Sequence, residues 1–337
     1  MNDPTPQPVP YAPPPEDLAR WFADPAAPGG GFANPWGVNV EPAFSRFLRW
    51  QTEANPWRKR KRSGPTPPRL ESDPLGALLS VGDAPRCTWL GHASVLITVD
   101  DVTVLVDPVF GRVFPGIPRK APAPLTPDDL PHVDVVAITH GHYDHLDAAS
   151  VKAVAKRFPE ALFVTPLGLS RSLPKAARRR VELNWWQQVD VSGVRVALVP
   201  AQHWHRRGPA DTNRALWGGY VVSGSRAVYH SGDTGSFGGF SAIGHAFPAL
   251  DLAVLPIGAW EPRWFMGDQH MDPDGSVEAF LATGARRFLS MHWNTFDLTD
   301  EPLDEGPDEL ARAVDRANLP FDERWIVPEH GQTVVLG

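Results

Sequence analysis

Residues Thr139 to Asp147, reading Thr-His-Gly-His-Tyr-Asp-His-Leu-Asp, place three imidazoles and two carboxylates within nine positions. They follow directly on the apolar run Val133-Asp134-Val135-Val136-Ala137-Ile138. A strand that ends in a tight turn can aim alternate side chains at one point, and imidazole nitrogen with carboxylate oxygen is a donor set that zinc accepts. A buried core histidine explains one such residue but not three at this spacing, so His140, His142, Asp144 and His145 read as half of a two-metal hydrolytic site. Further candidates fall at comparable places. His203 comes just after the run ending Val199-Pro200, Asp233 follows Tyr229-His230-Ser231-Gly232, and His292 follows Leu289-Ser290-Met291. Each stands at the carboxyl end of a predicted strand, the edge where sheets that alternate with helices assemble their sites. Two metals held there can share a water and lower its pKa, giving a bridging hydroxide, while the surrounding pocket selects the substrate. Asp147 either supports an imidazole from behind or caps a helix starting at Ala148.

The elements that must position these groups are visible in the hydrophobic pattern. Ser94 to Val99 and Val102 to Val106 flank Asp100-Asp101 and predict a β-hairpin. Strand-like runs follow at 161–164, 194–199, 227–229, 252–255 and 287–291, and helical patterns at 148–158, 275–283 and 308–318. Hairpins mixed with strand–helix alternation predict a layered α/β architecture. The run from Lys175 to Arg180 reads as a solvated helix face.

The chain has 337 residues, enough for one large domain or two small ones, and only one cysteine, Cys87. That excludes an intrachain disulfide and any metal cluster built mainly from cysteine. The net charge of −7 argues against a nucleic-acid partner. No apolar run approaches the roughly 20 residues that span a bilayer, and the first residues lack the order of a secretory signal, so a cytoplasmic protein is expected. Residues 1–30, with Pro13-Pro14-Pro15 and Gly29-Gly30-Gly31, read as a flexible Pro-rich arm whose Leu18, Trp21 and Phe22 could dock on the main domain. Residues 31–80 form an N-terminal extension with Phe44, Phe47 and Leu48 at helical spacing after Pro42, then the basic run Arg58 to Arg62. Clustered Lys and Arg beside apolar side chains suit an anionic lipid surface, so peripheral contact with the inner face of the membrane is one reading of this segment, and a helix packed on the main domain followed by a solvated loop is the other.

The seven positions His140, His142, Asp144, His145, His203, Asp233 and His292 resemble, in order, the signature of the metallo-β-lactamase superfamily. The resemblance implies an αββα sandwich of two mixed sheets flanked by helices, occupying residues 81–337. It implies two zinc ions (Zn2+): one on His140, His142 and His203, the other on Asp144, His145 and His292, with Asp233 between them. A closer likeness lies outside these positions. Asn34-Pro35-Trp36, Thr88 to Ala93, Asp107-Pro108, Gln202-His203-Trp204, Gly232 to Gly235, Glu261 to Met266 and His292-Trp293 together resemble the N-acylphosphatidylethanolamine-hydrolysing phospholipase D family.

That likeness implies a phospholipid substrate cleaved to N-acylethanolamine and phosphatidic acid. Trp260, Trp264, Phe265 and Met266 then offer an apolar surface for acyl chains and Arg263 a partner for phosphate. Gln269 and His270 match a Gln-His pair of the family. His270, with its near-neutral reference pKa, is the candidate to contact the substrate or protonate the leaving alkoxide, and Asp144 and Asp233 join it as the catalytic set. The metal set alone does not separate this reading from a lactonase or a soluble phosphodiesterase of the same superfamily, and a noncatalytic lipid-binding protein is a further alternative. Oligomeric state is open from the sequence, a homodimer included.

Overall fold

The computed structural model describes residues 5–11, 15–39, 44–64, 68–113 and 116–337. Pro13-Pro14 of the proline run and Pro42 lie outside the described residues. In chain order the strands are β1 (Val9–Pro10), β2 (Arg86–Gly91), β3 (Ser94–Val99), β4 (Val102–Val106), β5 (Val135–Ala137), β6 (Leu162–Pro166), β7 (Arg179–Leu183), β8 (Gln187–Val191), β9 (Val194–Val199), β10 (Gly219–Ser223), β11 (Ala227–His230), β12 (Leu252–Pro256), β13 (Arg287–Met291), β14 (Trp325–Ile326) and β15 (Thr333–Val335). The helices are α1 (Phe44–Thr52), α2 (Arg58–Arg62), α3 (Pro74–Ser80), α4 (Ala148–Arg157), α5 (Gly239–Ala246), α6 (Arg263–Met266), α7 (Pro273–Thr283) and α8 (Gly306–Arg316).

One sheet runs β15-β2-β3-β4-β5-β6-β7 and the other β1-β8-β9-β10-β11-β12-β13-β14, each mixing parallel and antiparallel pairs. The side-chain period of two sorts each strand between layers. On β3, Val95, Ile97 and Val99 join the core between the sheets, while Leu96 faces a second core with Val136, Phe163 and the Val151–Val154 face of α4. The other sheet buries its far face under α5, α7 and α8, through Ile243, Phe280 and Leu310. The Tyr220 hydroxyl donates to Ile138 O and Val164 O (3.1 and 3.2 Å), tying one sheet to the other. This is the αββα sandwich.

The β3–β4 hairpin turns through Asp100 and Asp101, both at positive φ (48° and 65°), as a two-residue turn of this hand requires. The run at Lys175 to Arg180 is not a helix face. It leads into β7, and the Arg180 guanidinium donates to Ser170 O and Pro174 O (2.9 and 2.8 Å), bracing the preceding turn.

The described residues among the first thirty do not form a free arm. β1 pairs with β8, and the Tyr11 hydroxyl donates to Ala246 O. Trp21 is buried beside Trp36 and Phe237 (ring centroids 5.3 and 5.7 Å), Phe22 stacks on Trp186 at 3.8 Å, and Trp186 Nε1 donates to Trp21 O (2.9 Å). Proline-rich composition excludes a core of its own, but not the lending of aromatic rings to a neighbouring one. The extension is equally engaged: Arg60 meets Asp304 (2.8 Å) and Lys61 meets Asp297 (2.6 Å), leaving Arg58, Lys59 and Arg62 exposed. No helix among the described residues is long and apolar enough to cross a membrane. Trp21→Ala is expected to lower the unfolding free energy by about 3 kcal/mol or more, the cost of truncating a buried aromatic, read by chemical denaturation. A loss below about 1 kcal/mol would place this ring among surface residues.

Candidate metal centre and cleft

The site forms where strands of both sheets end at one edge. After β5 the chain turns through His140 to His145, and Asp147 accepts from Ala149 N and Ser150 N (3.3 and 3.0 Å), capping α4. Of the two readings of Asp147, the cap is the one realised. Gly141 must be glycine, because a β-carbon there would strike the His205 ring. His203, Asp233 and His292 arrive from beyond β9, β11 and β13. His92 (φ 55°), Asp107 (φ 44°) and His292 (φ 65°) sit in the left-handed region, rare for residues with a β-carbon, which lets the chain reverse while these side chains point inward.

All seven residues expected to hold metal come together. His142 Nδ1 lies 2.9 Å from His140 Nε2 and 3.1 Å from His203 Nε2, which makes one nitrogen cluster. Asp144 Oδ2 lies 3.6 Å from His145 Nε2 and 3.8 Å from His292 Nε2, which makes a second. Asp233 stands between them: one oxygen is 3.1 Å from His145 Nε2 and 3.9 Å from His140 Nε2, the other 3.0 Å from His292 Nε2.

The donor set fits metal ions. His145 Nε2, His292 Nε2 and Asp233 Oδ1 are buried polar atoms without a hydrogen-bond partner, an arrangement that costs free energy unless a cation satisfies it. Burial pushes His142 down to about 3, and burial together with neighbouring imidazoles holds His140 and His203 well below the ordinary range, so these rings are neutral donors. Burial opposes ionisation of Asp144 and Asp233 as well, yet the imidazoles around them hold both below the usual carboxylate range. His145 is raised: burial works against its charge, but Asp233, Asp144 and Asp107 outweigh it. Three carboxylates around one ring demand positive charge, which a bound cation supplies in place of that proton.

The far nitrogens of two of these rings are fastened. His203 Nδ1 donates to Gln269 O (3.0 Å), and His145 Nδ1 donates to Asp107 Oδ2 (2.7 Å). Asp107, fully buried, also accepts from Thr139 N and Thr139 Oγ1 (2.8 and 2.6 Å). Sequence reasoning used Asp107 and His92 only as part of the family likeness and gave neither a role of its own. His92 Nε2 in fact donates to Asp144 Oδ2 (2.9 Å), and its ring lies 3.9 Å from that of His292. The signal that could have found both is their place just past the ends of β2 and β4.

A cleft of about 760 Å³ opens on the centre, lined by Asp144, Asp233 and His270 at its floor and by Trp50, Trp204, Phe265, Met266 and Leu298 along its walls. Trp50 comes from α1, stacks on Phe265 (5.1 Å) and donates to Asp300 Oδ1 (3.1 Å). Of the residues expected to meet the substrate, Phe265, Met266, Gln269 and His270 border this cleft, and three do not. Arg263 pairs with Asp272 (3.3 Å) and donates to His270 O (3.0 Å), so it braces the loop and offers no phosphate contact. Trp260 is buried beside Trp293, and Trp264 lies under the Arg49 guanidinium (4.0 Å). Gln269 spends its amide within the wall, accepting from Trp204 Nε1 and donating to Phe265 O (3.4 Å). Cations at the cleft come instead from Arg206 and Arg207.

A family model described as a beta-lactamase superfamily domain matches residues 102–293, more than half of the chain. The chain belongs to the metallo-β-lactamase superfamily. Among its relatives, N-acyl-phosphatidylethanolamine-hydrolyzing phospholipase D 1 of Caenorhabditis elegans is 35% identical over 263 residues, 73% of this chain and 74% of the relative. A metal-dependent hydrolase of Methanopyrus kandleri is 32% identical over 257 residues, 74% of this chain and 98% of its own. Among solved structures, Igni18, a metallo hydrolase from Ignicoccus hospitalis, superimposes with a TM-score of 0.57 at 26% identity, covering 74% of this chain and 97% of its own. As a member of the superfamily the protein is a metal-dependent hydrolase. Asp107→Ala is expected to weaken metal affinity by about 10- to 100-fold by freeing the His145 ring, as measured by chelator competition. Unchanged affinity would reduce Asp107 to a packing role.

Proposed function

We propose that this hydrolase cleaves N-acylphosphatidylethanolamine-type phospholipids at the phosphodiester, releasing N-acylethanolamine and phosphatidic acid, with two zinc ions in the His/Asp centre. The observation that carries the reading is the cleft: an apolar, aromatic-walled trough with guanidinium groups on one side and the metal cluster at its floor. Similarity to the nematode phospholipase D supports the substrate class. The all-nitrogen-and-oxygen donor set supports zinc.

His140, His142 and His203 would hold one ion, Asp144, His145 and His292 the other, and Asp233 both. When bound, the ions supply a polarised water as nucleophile and neutralise charge on the phosphoryl oxygens. Arg207 donates to Gly141 O (3.0 Å) and lies over the Tyr143 ring (4.3 Å), with no carboxylate within ion-pairing distance among the described residues. Burial lowers its pKa without removing its charge, and an anionic phosphodiester is the partner it lacks. Trp50, Trp204, Phe265 and Met266 receive acyl chains, and α1 exposes Leu48 at the surface near this wall, which suits a substrate presented by a bilayer.

His270 Nδ1, without a hydrogen-bond partner and 3.8 Å from Asp233 Oδ2, faces the reacting centre. Burial lowers this imidazole to about 4, so it is neutral near pH 7, and its N–H is handed to the leaving alkoxide as a relay from solvent and not as a stored proton. His270→Ala is expected to lower kcat by about 100-fold with metal content unchanged; full turnover would leave the ring a structural role. The bond broken is read in isotopically labelled water, with substrate in vesicles: the label is expected in phosphatidic acid. Label in a released fatty acid, or lactone opening without phospholipid turnover, would overturn this reading in favour of a carbonyl hydrolase.

A further inference from the structure

At the edge of the second sheet opposite the metal centre lies a pocket of about 300 Å³. The parallel strands β11, β12 and β13 carry the catalytic edge at their carboxyl ends, and this pocket sits by their amino ends, at Ala227, Asp251 and Arg286. Strand pairing places Ser223 opposite both Arg195 on β9 and Ala227 on β11, so Arg195 and Ser223 share one face. Asp251, buried at 5% exposure, accepts from Ala227 N (2.9 Å) and draws two guanidinium groups towards one of its oxygens, Arg286 at 3.5 Å and Arg226 at 3.9 Å.

Three guanidinium groups thus border a cavity with a single carboxylate, in a chain whose net charge is −7. Arg195 has no carboxylate within ion-pairing distance among the described residues. The Ser223 hydroxyl, on a residue 6% exposed, is buried without any hydrogen-bond partner. An excess of forked cationic donors around a buried, unsatisfied hydroxyl is chemistry for a tetrahedral oxyanion. The Tyr11 and Phe247 rings, 5.1 Å apart, belong to the two segments that close one side. We infer that this pocket is a second, noncatalytic site that binds a phosphate group, carried by a soluble phosphate or by a lipid headgroup, through Arg195, Arg226, Arg286 and Ser223.

The test is calorimetric titration of the metal-loaded enzyme with inorganic phosphate at constant ionic strength, in parallel with Arg195→Gln, Ser223→Ala and Asp233→Asn. Arg195 is exposed and the Ser223 hydroxyl satisfies no other group, so neither change removes a contact that holds the fold. Saturable binding is expected to survive Asp233→Asn, to weaken at least about tenfold in Arg195→Gln, and to weaken about threefold or more in Ser223→Ala. Binding lost in Asp233→Asn but untouched by the other two would place phosphate on the metal centre and overturn the inference, as would no saturable binding at all. Vesicles with and without phosphatidic acid separate the sources. Arg195-dependent flotation with phosphatidic acid assigns a lipid headgroup; free phosphate binding without such flotation assigns a soluble ligand.

Discussion

The structure depends on keeping buried carboxylates charged. Asp107 and Asp233, both buried, and the half-buried Asp144 stand among imidazoles at the meeting edge of two sheets. An uncompensated buried charge costs several kcal/mol, so every neighbour serves to compensate one. Thr139 gives Asp107 two hydrogen bonds, His145 gives it a third, and His92 gives one to Asp144. The remaining deficit of positive charge is what makes the place a metal centre and not merely a polar core. Strand ends from both sheets must meet for the arrangement to exist, which is why the sandwich and the chemistry cannot be separated.

The seven residues of the centre all lie in the part of the chain that the superfamily model matches, whereas the cleft is completed from outside it. The family match covers residues 102–293, yet Trp50, Leu298 and Thr299 line the cleft from outside it. Asn34 Nδ2 donates to His203 O (3.1 Å) and Trp36 Nε1 to Gln202 Oε1 (2.5 Å), so the extension also steadies the turn that carries His203. One wall of the cleft and the support behind His203 therefore rest in part on residues 31–80, the segment whose composition reads as an N-terminal extension. The division at residues 30 and 80 follows composition, and the packing crosses it at each point.

The sequence by itself determined the hairpin, the strands that lead to His140, His203, Asp233 and His292, and, through the resemblance, the seven residues of the centre, but not β7, which it read as a helix face. Period-two patterning and donor types are local properties: Val95, Ile97 and Val99 must share a face, and His140, His142 and His145 must share a turn. Long-range pairing is not local. Nothing near Asp107 in the chain shows that its carboxylate will hold His145, nor near His92 that it will reach Asp144. Arg263 and Arg207 show the same limit, both cations close in sequence to aromatic residues. Asp272 pairs with the first, and among the described residues no carboxylate pairs with the second, so one braces a loop and the other faces the cleft. Partner geometry decides whether a buried charge is structural or available, and only the tertiary structure sets that geometry.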